Sequence, residues 1–287
     1  MSQPVLIEPF FDPDSCTYSY LVADPATGDC AIIDPVLDYD HAAGRVSRAS
    51  ADRLIDYIQA HSLKLTWILE THVHADHLSA ARYLQTRLGG RIGIGDALPL
   101  VQQNFAPVFD FDPVLYERQF DRLFADSETF ALGELSVRVL HTPGHTPACV
   151  SYLIADAAFV GDTLFMPDSG TARCDFPGGD PRQLYRSIRR LLDLPDQTRL
   201  FLCHDYKAPG RDQYCCQTTV EAARAHNIHV GAGIAEDAFV ALRTERDRTL
   251  GLPRLLLPSV QVNLRGGELP EAQASGIRYL KIPLDVL

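Results

Sequence analysis

The chain has 287 residues, 46% of them hydrophobic and 22% charged, a balance that fills a core and excludes disordered, fibrous and disulfide-stapled classes. Its formal charge of −11, from 26 Lys and Arg against 37 Asp and Glu, excludes nucleic acid as a general partner, whereas a small anion senses only charges within about 10 Å. No apolar run approaches the ~20 residues of a membrane span, the N-terminus lacks a basic, apolar leader, and the seven cysteines have no CxxC spacing, so a soluble, cytoplasmic protein with reduced thiols and no membrane partner is expected.

In chain order, Val5 to Phe11, Tyr18 to Val22 and Cys30 to Asp34 read as meandering antiparallel strands, rich in aromatic and β-branched residues and punctuated by turns. Arg48 to His61 carries Leu54, Ile55 and Ile58 at helical spacing, and Leu63 to Leu69 is an apolar run of strand length. Ser79 to Leu88 suits a helix and Arg91 to Ile94 a strand. Leu135 to Leu140, Cys149 to Ile154 and Ala157 to Val160 are further strands. Pro181 to Leu192 opens with a proline that a first helical turn tolerates and keeps Leu184, Ile188 and Leu191 on one face. Arg199 to Cys203 is a strand, and Asp212 to His226 and Ala235 to Arg248 read as helices. The apolar tail from Leu252 to Leu287 either covers a sheet edge or forms a homodimer contact. Two sheets with helices outside fit this order, so the expected fold is α/β, a four-layered αββα sandwich, with residues 1–287 as a single domain.

The chemistry concentrates after the strand that ends at Leu69. Thr71-His72-Val73-His74-Ala75-Asp76-His77 places four metal-ligand side chains within six residues, and imidazole and carboxylate suit Zn, Fe or Mn. Three later strands also deliver such residues at their carboxyl ends: His141 and His145, then Asp162, then His204. Strand ends of packed sheets share an edge, so these seven donors, His141 excluded, are expected to meet in one cleft. His141 precedes a Pro-Gly turn and is read as a structural hydrogen bonder. His41, His61, His226 and His229 have no companion donors.

The stretch His72 to His77 matches the signature H-x-H-x-D-H, and from about Cys16 to Asp205 the sequence resembles the metallo-β-lactamase superfamily, with His145, Asp162 and His204 at its later ligand positions. The resemblance implies the metallo-β-lactamase fold, with a core over 16–205 and C-terminal helices and an extension over 206–287. Within the superfamily the chain resembles two thiol-linked branches. Arg173-Cys174-Asp175-Phe176, Cys203-His204-Asp205-Tyr206 and Pro209-Gly210-Arg211 look like elements of persulfide dioxygenases, although Pro167 to Ala172 is slightly longer than in animal-type members.

That likeness implies one Fe(II) per chain on His72, His145 and Asp162, with His74, Asp76, His77 and His204 around the site without binding it. Two histidines and one carboxylate leave half of an octahedral ion open, the pattern of non-haem oxygenases. The implied substrates are glutathione persulfide and O2, and the implied products are sulfite and glutathione. Glutathione carries two carboxylates, so Tyr206, Lys207, Arg211 and Arg173 are its candidate contacts, Arg173 having a pairing with Asp175 as the competing role. Cys174 reads as a packed thiol. The alternative is a glyoxalase II-like dinuclear thioester hydrolase using all seven donors. A third reading, a module with a purely structural metal, fits poorly because structural sites are thiolate-rich.

Overall fold

Side-chain alternation in the first strands decides the layers. In the computed structural model, which describes residues 5–112, 119–231 and 233–286, β1 (Leu6–Asp12), β2 (Thr17–Ala23) and β3 (Asp29–Ile33) form the predicted antiparallel meander. The first four residues of the leader reading and Leu287 of the tail lie outside the described residues. Successive side chains of a strand face opposite ways, and both faces here are apolar. Tyr18, Tyr20 and Val22 enter one buried cluster, whereas Leu21 and Ala23 enter another. A strand buried on both faces belongs inside a stack of layers.

Two ribbons, β4 (Val36–Leu37) with β8 (Leu78–Ser79) and β5 (Tyr39–Asp40) with β6 (Arg45–Val46), lie beside the first main sheet. That sheet has the order β1-β2-β3-β7-β9-β10, where β7 (Lys64–Leu69), β9 (Arg91–Gly95) and β10 (Arg122–Phe124) run parallel to β3. The second sheet runs in sequence order: β11 (Thr129–Leu132), β12 (Leu135–His141), β13 (Val150–Ile154), β14 (Ala157–Phe159), β15 (Arg199–Phe201) and β16 (Gln217–Thr219). Between the sheets, Tyr20, Ile33, Trp67 and Leu69 pack on Val137, Val139, Tyr152 and Phe159.

Helices cover both outer faces. Against the first sheet lie α1 (Ala49–Ala60), α2 (Ala81–Leu88) and α3 (Leu98–Phe109); against the second lie α4 (Pro181–Leu192), α5 (Val220–His226) and α6 (Glu236–Asp247). The last helix, α7 (Leu256–Asn263), returns to the first sheet's side and buries Leu256, Val260 and Val262 there. The architecture is therefore the expected αββα sandwich. Among the described residues no helix is long and apolar enough to cross a membrane.

One predicted helix needs correction. Of Asp212 to His226, Gln217–Thr219 is a strand paired antiparallel to β15, and the helix starts only at Val220. The reason is local: Thr219 is extended at φ −122° and its hydroxyl accepts from Ala222 N at 3.1 Å, the N-cap geometry that starts a helix. The helices α3 and α7 and the strands β10 and β11 were not anticipated.

Candidate metal centre and cavity

β7, β12, β14 and β15 all point their carboxyl ends to one edge of the sandwich, and the seven predicted donors sit there. The loop after β7 is shaped by Asp34, at the end of β3. Its Oδ1 accepts Thr71 N at 2.7 Å and His74 Nε2 at 2.9 Å, and its Oδ2 accepts the Thr71 hydroxyl at 2.8 Å. Sequence reasoning missed Asp34; its signal was an acid closing the apolar strand just before Pro35. The end of β14 closes on the same loop through Gly161, whose φ is +52° and whose Cβ, if it had one, would lie 2.6 Å from the Thr71 hydroxyl.

The donors form two clusters joined by Asp162. In the first, Asp162 Oδ2 lies 4.0 Å from His72 Nε2 and 3.7 Å from His145 Nε2. In the second, His74, Asp76 and His77 bring ligand atoms within 4.8 Å of one another. His204 Nε2 stands 3.3 Å from both Asp76 Oδ2 and Asp162 Oδ1. One carboxylate thus faces both clusters.

Hydrogen bonds set which ring nitrogen faces the cluster. A carbonyl only accepts, so His145 Nδ1–H donates to Arg173 O at 2.7 Å and His204 Nδ1–H donates to Cys16 O at 3.3 Å. The Thr71 hydroxyl hydrogen goes to Asp34, so that oxygen accepts from His72 Nδ1–H at 2.9 Å. Each of these rings turns its Nε2 toward the cluster, the arrangement in which outer partners orient metal-binding imidazoles. His74 Nδ1, His77 Nε2, His204 Nε2 and Asp162 Oδ1 are buried without a hydrogen-bond partner. Orphaned buried polar atoms are rare and costly, and here they converge, so the residues fit metal ions.

Electrostatics agree with that fit. Burial, then the surrounding histidines, hold His72 well below the ordinary histidine range. Burial opposes a charge on His74, but Asp34 and Glu70 override it and raise its pKa well above the usual value. A metal at Nδ1 would displace that proton. Burial opposes the charge of Asp76 as well, yet His204 and His77 hold its carboxyl far below the usual range. His141, in contrast, faces Phe124 O at 3.0 Å through Nε2 and is spent on structure.

Residues 14–204 match the metallo-beta-lactamase superfamily. The chain belongs to that superfamily. It is 55% identical to a probable metallo-hydrolase of Burkholderia pseudomallei, over 98% of this chain and 99% of that one. It is 47% identical to Glyoxylase B2 of Dictyostelium discoideum, over 100% and 99%. The persulfide dioxygenase ETHE1 of Mus musculus is 30% identical, over 92% of this chain and 89% of that protein. Among solved structures, ETHE1 from Myxococcus xanthus superimposes with a TM-score of 0.74 at 31% identity, covering 92% of this chain and 100% of that one.

In this member of the metallo-beta-lactamase superfamily the clusters open into a cavity of about 640 Å³. Asp76, His145 and Asp162 line its floor, and Phe165, Phe176 and Tyr206 are among the aromatic walls. Of the candidate glutathione contacts, Tyr206, Lys207 and Arg173 line it and Arg211 does not. Arg211 is held elsewhere, bonded to Asp205 at 2.5 and 2.8 Å and to Asp168 at 2.7 and 2.9 Å. Arg173 is also committed: it grips Asp175 through two 2.6 Å bonds and Gly251 O at 2.7 Å. Cys174 is a packed thiol whose pKa burial pushes up.

Among the described residues, three cations of the cavity wall have no hydrogen-bonded or ion-paired partner: Lys207, whose ammonium lies over the Tyr214 ring at 4.5 Å, Arg246 and Arg254. The two arginines come from α6 and the loop that follows it. Sequence reasoning passed over them because lone arginines on an exposed helical face or in a loop carry no motif.

Proposed function

We propose that this metal-dependent enzyme is a persulfide dioxygenase whose iron is held by His72, His145 and Asp162. One observation carries the reading. The segment that resembles dioxygenases, Arg173 to Phe176, is the one that positions a donor: Arg173 O fixes His145 Nδ1 at 2.7 Å, and the Phe176 ring meets the His145 ring edge-on at 5.3 Å. The likeness to ETHE1 over 92% of this chain adds support.

A bound ferrous ion would supply redox chemistry and open coordination positions. The chain's residues do the rest. His72, His145 and Asp162 present three donors on one side; Phe165 and Phe176 shield the reacting sulfur from bulk water; and Lys207, Arg246 and Arg254 offer positive charge to the carboxylates of a glutathione moiety. In the overall reaction dioxygen takes four electrons from the terminal sulfur, water supplies the third oxygen of sulfite, and the glutathione thiol leaves.

A dinuclear thioester hydrolase is the second reading, and specific observations favour it. His74 Nδ1, His77 Nε2, His204 Nε2 and Asp162 Oδ1 are buried without a hydrogen bond among the described residues, Asp162 faces both clusters, and a second ion would satisfy these atoms. The relatives at 47–55% identity bear hydrolase and glyoxylase names, which weigh on this side more than the likeness to ETHE1 weighs on the other. Anaerobic purification with metal analysis, then oxygen-electrode and thioester assays, separates the two. About one iron per chain with oxygen uptake on glutathione persulfide supports the dioxygenase. Two metals per chain with thioester cleavage and no oxygen uptake overturn it.

A further inference from the structure

The turn that carries His74, Asp76 and His77 is gripped from behind by a residue of the C-terminal extension. Asn263, buried at the end of α7, donates through Nδ2 to His74 O and to His77 O, both at 2.8 Å. Its Oδ1 accepts Ser79 N at 2.7 Å. One amide side chain thus satisfies three backbone groups on both flanks of Asp76. Buried backbone groups need partners, and this one side chain supplies them.

The grip reaches a ring nitrogen as well. The Ser79 hydroxyl donates to Glu70 Oε1, and Glu70 Oε2 lies 3.4 Å from His74 Nε2. Seating is tight on this side: a Cβ on Gly267, just past α7 at φ +80°, would meet Ser79 O at 2.7 Å. Apolar burial of Leu256, Val260, Val262 and Leu264 holds the segment in place, so the amide arrives on a rigid element.

We propose that Asn263 is a positioning residue of the metal centre, fixing the His74 to His77 turn so that its donors face Asp162. The proposal rests on the dinuclear reading of the centre, in which His74, Asp76 and His77 of that turn hold metal. Loss of the amide leaves the turn's ligands in the sequence but frees their backbone, so metal affinity falls although no ligand has been removed.

The test uses the full chain stripped of metal and titrated with cobalt(II) alone. Asn263→Ala should weaken cobalt binding about 10- to 100-fold, the usual cost of losing an outer partner of a metal ligand, and should alter the visible absorption of the bound cobalt. Amide hydrogen exchange in the metal-free protein should rise across residues 72–79. Gln102→Ala is the control: it removes the 3.1 Å bond from Gln102 Nε2 to Leu264 O at the same end of α7 and touches nothing in the turn. It should lower thermal stability while leaving cobalt affinity and absorption as in the wild type. Asn263→Asp keeps the acceptor for Ser79 N, turns an oxygen toward two carbonyls, and should reproduce the loss; it carries the comparison if the alanine variant does not fold. The proposal is overturned if the Asn263 variants bind cobalt as tightly as the wild type, or if Gln102→Ala loses affinity equally. A wild type that takes up no cobalt would overturn the underlying metal reading instead.

Discussion

The core over residues 14–204 and the extension that follows it make unlike contributions to one site. Every predicted metal donor lies in the core, spaced by strand ends and marked by a motif. The extension contributes no predicted donor, yet it supplies the three cavity cations without a hydrogen-bonded or ion-paired partner among the described residues, Lys207, Arg246 and Arg254, and it ties down both loops that carry the centre. Asn263 holds the turn after β7. The buried Asp247 holds the loop before α4, where its Oδ2 accepts Cys174 N at 3.0 Å and its Oδ1 pairs with Arg243 at 2.6 Å. Donor chemistry and donor placement are thus encoded in different parts of the chain.

Four experiments would break or sharpen that contrast. The largest effect is expected in the core: Asp162→Ala removes the carboxylate shared by both clusters, so metal analysis should find retention lost and activity abolished with it. A variant that kept its full metal content would end the ligand assignment. Next comes the extension. Asp247→Ala leaves Arg243 buried and unpaired and should cost about 3–5 kcal/mol in denaturant unfolding; a loss below about 1 kcal/mol would mean that α6 does not anchor the loop.

The third test concerns pH. His229 is buried between the loop and α6, where its Nδ1 accepts Thr171 N at 3.0 Å. Burial, then Arg243 and Arg246, lower its pKa from 6.5 to about 4. Between those values the unfolded chain takes up a proton that the folded chain refuses, so its contribution is complete above pH 6.5 and is lost as pH falls toward 4. Denaturant unfolding at pH 7 and pH 5 should differ by about 2 kcal/mol from this group, and His229→Gln should flatten that slope. The smallest effect is expected at the cavity mouth. Arg246→Ala with Arg254→Ala should raise KM about tenfold for a glutathione conjugate and keep kcat, the pattern of lost uniform binding. A fall in kcat instead would place these arginines nearer the reacting atoms.

Much of the core was legible because two physical signals agree there. Apolar alternation marks β2, β3, β7 and β12, and ligand-type residues follow β7, β12, β14 and β15 without exception. Other parts carried weaker signals. Asp34 is a lone acid whose partner, the Thr71 to His74 loop, is distant in sequence, and no spacing rule links them. Asn263 looks like a polar residue at a helix end until α7 is seen against the ribbon of β4 and β8. Arg211 was misleading for a related reason: it follows His204 closely, but Asp205 and Asp168 claim it before any ligand can. Proximity along the chain predicts a donor better than it predicts whether that donor is free.

Gly161 has a consequence for how the centre fills. With no side chain to hold them apart, the backbone ahead of Asp162 rests directly against Thr71, so the two sheets meet at a hard stop. That stop gauges the gap between imidazoles arriving from opposite layers. An ion bound there would meet partners already spaced, and little chain entropy would be lost on capture. A methyl group at this position would wedge the layers open and oblige the ion to draw them back together.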